Sequence, residues 1–217
     1  MTIIERIIKK LRDISAKPRR RNICTKMRDR LENEDFSIIS SNCIGGILCH
    51  DLNIRFNSPT VNMFFDAADF VKFCANIQYY TNLIPEEDLE LTKSYGYPVC
   101  RLGDVHLYCV HYKNFNQIRD KWIERSQRIN YDNLFIIMTD RNGLTEDMLP
   151  QISQIPYPKI LYSAKPYKFD FVVHVREFEK ENQVGQLHFF ADFLGNRYYE
   201  KYFDLVNWLN LEYNKNI

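Results

Sequence analysis

From Phe36 onward, short apolar runs alternate with longer stretches in which apolar residues return every three or four positions. Phe36–Ser40, Val105–His111, Asn133–Met138, Lys159–Tyr162 and Phe169–Val173 read as strands, and the Asn133 run as a buried one because it is apolar throughout. Leu89–Thr92 and Val99–Leu102 read as two further short strands. Asp66–Tyr80, Asn116–Ile129 and Glu146–Ile155 carry the helical period; in the first, Phe70, Phe73, Cys74 and Ile77 share one side. A Gly45-Gly46 turn is expected to lead into a short helix ending at Asp51, and an aromatic-rich helical region is expected from His188 to Tyr213. Strands and helices alternating at this spacing need crossover connections. They predict an α/β fold of three layers, a largely parallel sheet with helices on both faces.

The first 31 residues follow a different pattern. Ile3, Ile4, Ile7, Ile8, Leu11 and Ile14 repeat with helical period while Arg6, Lys9, Lys10 and Arg12 take the other positions. Pro18 is expected to interrupt this helix, with a second basic helix from Arg19 to Leu31. The organisation predicted is a basic amphipathic helical arm over residues 1–31 and a single α/β domain over 32–217. Docking of the arm's apolar face on the domain is the simpler expectation. The alternative is contact with anionic lipid or an acidic partner through residues 1–31.

Charge sharpens that division. The arm holds 11 Lys and Arg against three acids, whereas the remainder holds 18 basic and 25 acidic residues, so a net charge of +1 hides a basic arm on an acidic body. The basic residues are not interleaved with stacking aromatics and form no binding motif, so no nucleic-acid partner is expected. No apolar run approaches the roughly 20 residues that cross a bilayer, and no signal-peptide pattern opens the chain. A cytoplasmic location is expected, peripheral to the inner face of the membrane if the arm meets lipid. Six cysteines without a CxxC pair or zinc spacing read as reduced thiols, and no metal is expected. No cofactor is specified.

Open α/β sheets take ligands beyond the C-terminal ends of their strands, and three predicted strands end in polar residues. The first end is Ser40-Ser41-Asn42-Cys43, followed by Gly45-Gly46 and by a second small-polar turn, Asn57-Ser58-Pro59-Thr60. Glycines let backbone N–H groups approach a ligand and a helix N-terminus favours negative charge. Ser41, Asn42, Gly45, Gly46, Asn57, Ser58 and Thr60 are therefore candidate ligand contacts. Cys43 is a candidate nucleophile on condition that its pKa is lowered there. Against this stands the reading that the polar residues satisfy the turn and Cys43 packs as a small apolar side chain.

The second end carries His111, a candidate acid/base group. The third is Thr139-Asp140-Arg141-Asn142-Gly143, where Asp140 is a candidate acid/base and Arg141 a candidate anion contact, with an Asx turn as the plainer alternative. Arg125, on the helix with Trp122, is a further candidate anion contact. A DxD glycosyltransferase motif is absent at this third end, and the aromatic stripe Tyr198, Tyr199, Tyr202, Phe203 and Trp208 reads as a packed helix.

Ser37–Gly46, Asn57–Thr60, His111-Tyr112, Lys121-Trp122 with Arg125, Asp132–Phe135 and Thr139–Gly143 together resemble the signature blocks of one bacterial family. It is a family of unknown function often labelled exopolysaccharide biosynthesis protein and met in capsule and surface-polysaccharide gene clusters. The resemblance runs from about Asn33 to Leu211. This chain has Ile44 where that family often carries an aromatic, which puts a stacking role there in doubt. The resemblance implies a three-layer α/β fold and a role in surface-polysaccharide biosynthesis, with a sugar or nucleotide-sugar ligand. Two functions follow as alternatives: a transferase acting on a sugar or glycan precursor, or a non-catalytic glycan- or partner-binding protein of the assembly machinery.

Overall fold

The computed structural model describes residues 3–214, so the outermost positions of the arm and of the domain lie outside the described residues. Four parallel strands, β1 (Ser37–Ser40), β5 (Leu134–Thr139), β6 (Lys159–Ser163) and β7 (Val172–His174), stand side by side in the order β1-β5-β6-β7. All six residues of β5 are buried. Because side chains alternate across a strand, Leu134, Ile136 and Met138 enter one core while Phe135 and Ile137 enter another.

The first core is covered by α3 (Ala67–Ala75), α4 (Ile77–Thr81), α6 (Phe115–Ser126) and α7 (Leu149–Ser153). An antiparallel sheet of β2 (Glu86–Glu87), β3 (Val99–Leu102) and β4 (Val105–Tyr108) joins them. The second core is covered by α1 (Ile3–Arg30), α2 (Ile44–Asp51), α8 (Tyr198–Lys201) and α9 (Leu205–Asn214). The three layers expected from the alternation are present, with an antiparallel sheet added to one outer layer.

Several local expectations change. Leu89–Thr92 is not a strand: Asp88 accepts from the Leu91 N–H and starts α5 (Leu89–Tyr95), which Gly96 closes at φ 74°. The Asp66–Tyr80 helix is two helices, because Asn76 leaves helical geometry at φ −147° and ψ 59°. Gly45 and Gly46 lie inside α2 rather than in a turn before it. The region from His188 begins as irregular chain, where the Asp192 carboxylate accepts from the N–H groups of Leu194, Gly195 and Asn196 in a tight turn; helix resumes only at Tyr198.

The arm is one helix running through Pro18. Contacts on both sides of the proline hold it to the body. Ser15 donates to the Phe193 carbonyl, Ala16 is buried, and Arg20 enters a buried cluster with Asp51 (2.6 Å), Glu200 (2.6 Å) and the Tyr199 hydroxyl (3.0 Å). Burial disfavours the Arg20 charge, but the Glu200 hydrogen bond and the charges of Glu200 and Asp51 outweigh it and raise its pKa. At the C-terminal end, Asn210 of α9 donates to the Arg30 carbonyl and accepts from the Glu32 N–H.

The expected docking face is the wrong one. Ala16, Arg20, Met27 and Leu31 face the body, while Ile4, Ile7, Ile8, Leu11 and Ile14 are exposed. The arm's second half is held by a polar cluster and a few apolar side chains, and the apolar stripe of its first half looks outward.

Candidate functional site

After β1 the chain turns into α2 on one face of the sheet; after β5 it turns towards α7 on the other. Neighbouring parallel strands whose continuations leave to opposite faces open a crevice beyond their C-terminal ends. A cavity of about 530 Å³ lies there. Asn42, Cys43, Ile44 and Ile47 line it from the β1 side, Thr139, Arg141 and Asn142 from the β5 side, and Val110 and His111 from beyond β4. Phe64 and the segment Gly185–Phe189 complete the wall.

Backbone pairing explains how β4 reaches this place. The Phe65 N–H donates to the Ser41 carbonyl (3.1 Å), and Phe64 exchanges two backbone hydrogen bonds with Tyr108 while their rings stack at 4.8 Å. The three polar strand ends marked by the sequence therefore meet in one crevice, through Asn42, Cys43, His111, Thr139, Arg141 and Asn142. The other candidates lie elsewhere, each for a physical reason.

Asp140 is buried and does not line the cavity. Its carboxylate accepts from the Ser163 hydroxyl (3.1 Å), the Ala164 N–H (2.7 Å) and the Val184 N–H (2.8 Å). Instead of handling a substrate proton, it ties the end of β6 to the start of the segment carrying Gln186, His188 and Phe189. Ser41 accepts from the Thr139 N–H (3.2 Å) and so staples β1 to β5.

The start of α2 is closed by the chain's own oxygens. The Ile44 N–H donates to Asn42 Oδ1 (3.1 Å) and the Gly45 N–H to Ser40 Oγ (3.3 Å), while Asn42 Nδ2 donates to Thr139 Oγ1 (2.9 Å). The glycines serve close packing. A Cβ on Gly45 would stand 2.9 Å from both Ile38 and Ser40, and one on Gly46 3.2 Å from Val61. Neither lines the cavity.

Asn57, Ser58 and Thr60 seal the free edge of β1. Thr60 Oγ1 accepts from the Ser40 N–H (3.1 Å) and contacts Ser58 Oγ (3.1 Å), and Asn57 Nδ2 donates to the Phe36 carbonyl (3.5 Å). Arg125 donates to the Tyr112 hydroxyl (2.9 Å), which donates onward to the Val61 carbonyl (2.8 Å); it braces α6 and stays outside the cavity.

Among the residues that do line the cavity, burial raises the Cys43 thiol, with a partial offset from a backbone hydrogen bond. The lowered pKa that a thiolate nucleophile requires is therefore not supplied. Burial, then the positive charges of Arg197 and Arg141, lower the His188 pKa against the opposing pull of Asp51, so the imidazole is neutral at pH 7. Arg141 is half-buried and has no hydrogen-bond or ion-pair partner among the described residues. Among the described residues that line the cavity there is no carboxylate.

Phe64, Gln186, His188 and Phe189 were not foreseen as site residues. The usable signal was Gly185 ahead of His188 and the Asp192…Gly195-Asn196 turn, which together mark 185–196 as irregular chain. Elsewhere, a wide-mouthed concavity of about 520 Å³ beside α5, lined by residues such as Glu87, Lys93, Tyr97 and Lys113, holds none of the candidates. Among the described residues no group of three His, Cys, Asp or Glu could hold a metal ion, and no helix is long and apolar enough to cross a membrane. All six cysteines are free thiols.

Fold and site together define a three-layer α/β protein with a ligand-sized crevice at the ends of its parallel strands. The chain belongs to the family described as Domain of unknown function (DUF1919), whose model matches residues 14–210. It is also 36% identical over 203 residues to a Haemophilus influenzae protein that carries the name "Uncharacterized protein", a match covering 93% of this chain and 97% of that one.

Proposed function

We propose that the protein binds a phosphorylated sugar or glycan precursor of surface-polysaccharide assembly in this crevice and acts on it as a cytoplasmic transferase. The observation that carries the reading is Arg141, half-buried and without a partner among the described residues, in a wall that has two histidines and no carboxylate. An unpaired guanidinium in such a wall suits a phosphate, which it holds by charge-assisted hydrogen bonds. Phe64 and Phe189 offer faces to a sugar or base ring, while Asn42, Thr139, Asn142 and Gln186 offer hydrogen bonds to hydroxyls. His188, neutral at pH 7, and His111 at the rim are the groups suited to take or deliver a proton at the transferring oxygen. The resemblance of the signature blocks to the polysaccharide-cluster family supplies the substrate class.

A second reading, binding without catalysis, is favoured by two of the same findings. Asp140 is fully engaged with backbone and hydroxyl donors, and Cys43 is held as a thiol.

One experiment tests the binding claim common to both. Sugar phosphates and nucleotide sugars should raise the melting temperature by mass action, neutral monosaccharides should not, and Arg141→Ala should abolish the shift. If no phosphorylated sugar stabilises the wild-type protein, or Arg141→Ala keeps the full effect, the reading fails. Analysis of the ligand after incubation together with a hydroxyl acceptor, a sugar or glycan precursor, then separates the two functions. A transferase converts it and loses conversion, with binding retained, in His188→Gln or His111→Gln; a binding protein returns it unchanged.

A further inference from the structure

The apolar stripe in the first half of α1 points away from the body. Ile4, Ile7, Ile8, Leu11 and Ile14 are between 47% and 69% exposed. At ~100° per residue they fall on one face, roughly opposite the face that seats Ala16, Arg20 and Met27 on the body. The stripe is about 15 Å long at 1.5 Å per residue. Single exposed apolar side chains are ordinary; five on one helix face mark a contact surface. The loop that hydrogen-bonds to this helix at Ser15 and Arg19 adds exposed Phe193 and Leu194.

The charges beside the stripe say what covers it. Arg6, Lys10, Lys17 and Arg21 run along one flank and Arg19 lies on the other, where Arg12 turns its guanidinium to Tyr198 of the body. Asp13, the acidic residue whose side chain is described in this stretch, sits towards the docked face and pairs with Lys9 at 3.6 Å. A second copy laid stripe to stripe would set these cationic flanks against each other, with no acid among the described side chains of the flanks to relieve them. An anionic lipid surface meets both demands at once, since its headgroups match the flanks and its acyl boundary takes the isoleucines and leucine.

We propose that residues 4–21 form an interfacial helix that lays the protein on an anionic membrane surface. The helix is parallel to the bilayer plane, with the stripe immersed and both cationic flanks at headgroup level. The seating uses the face of α1 left free by the body, so it requires no unfolding of the domain. The identity of the crevice ligand does not enter into it.

The test is co-sedimentation of the full chain with vesicles of phosphatidylcholine alone or with phosphatidylglycerol added. The wild type should pellet with the anionic vesicles and stay in solution with the neutral ones, and high salt should release it. Lys10→Gln with Arg6→Gln should lower the partition coefficient by about fivefold per cation removed. Ile7→Glu with Leu11→Glu should abolish partition while circular dichroism and melting temperature stay unchanged, because both side chains point away from the body. The proposal is overturned if the wild type ignores anionic vesicles or if the double Glu variant still pellets. It is equally overturned if the wild type sediments as a dimer that the double variant dissociates, which would assign the stripe to a second copy.

Discussion

His188 meets charges in the folded chain that it does not meet in the unfolded one. Burial and the nearby Arg197 and Arg141 depress its pKa below the ordinary value of 6.5. Above that value both states are unprotonated there and the residue leaves stability unaffected. As pH falls below about 6.5, the unfolded chain takes up a proton that the folded chain resists, so stability is lost until pH drops below the depressed folded value. His188→Gln should flatten that part of a urea-midpoint profile measured from pH 7.5 to pH 5. A bound phosphate reverses the local field and favours the imidazolium. Ligand binding should therefore take up a proton and strengthen as pH falls below 7, an uptake read by calorimetry in buffers of different ionisation enthalpy. His188→Gln should remove it, and binding without uptake would place the anion away from this side chain. Nothing in the local pattern around His188 announces this role, since its importance comes from Arg141 and Arg197, which only the fold brings near.

At the scale of elements, apolar runs were the readable part of the chain. The Asn133–Met138 run marks β5 because a strand buried on both faces has no polar position to spare. Leu89-Glu-Leu-Thr92 alternates as a strand does, yet the Asp88 cap and the left-handed Gly96 decide for helix. The Asn57–Thr60 hydroxyls are equally polar as ligand contacts or as a seal for the β1 edge, and composition cannot separate the two. Asp140 repeats that ambiguity with a larger consequence. Asp140→Ala should cost about 1–3 kcal/mol for each of the Ala164 and Val184 N–H groups left buried without an acceptor. It should also loosen the segment that carries His188 and Phe189. An assay of function alone would then score Asp140 as catalytic. A chemical-denaturation curve measured beside it should show the loss of stability that a purely catalytic role would not produce.

Over the whole molecule, the three-layer arrangement was legible from the order of elements, whereas the side on which the arm docks was not. An amphipathic repeat is the same string of residues whether its apolar stripe faces a core or faces outward. What settles the orientation here is one buried charge, Arg20, paired with Asp51 of α2 and Glu200 of α8. In the sequence it is one of eleven basic residues in the arm. Arg20→Met should destabilise the protein by about 3–5 kcal/mol, the usual cost of leaving buried partners uncompensated. Hydrogen exchange should show the α1 amides losing protection ahead of those of β5.

The Lys9 ammonium lies 4.4 Å from the centre of the Phe189 ring, and Phe189 is part of the crevice wall. One aromatic side chain thus belongs to two contacts, one with the arm and one with whatever enters the crevice. A ligand that shifts the ring works against the Lys9 attraction, and a shift of α1 changes the wall that the ligand meets. If the arm meets a surface as proposed, the two events are coupled, and such coupling is reciprocal: the factor by which occupancy of the crevice changes the affinity of the arm for that surface equals the factor by which the surface changes affinity in the crevice.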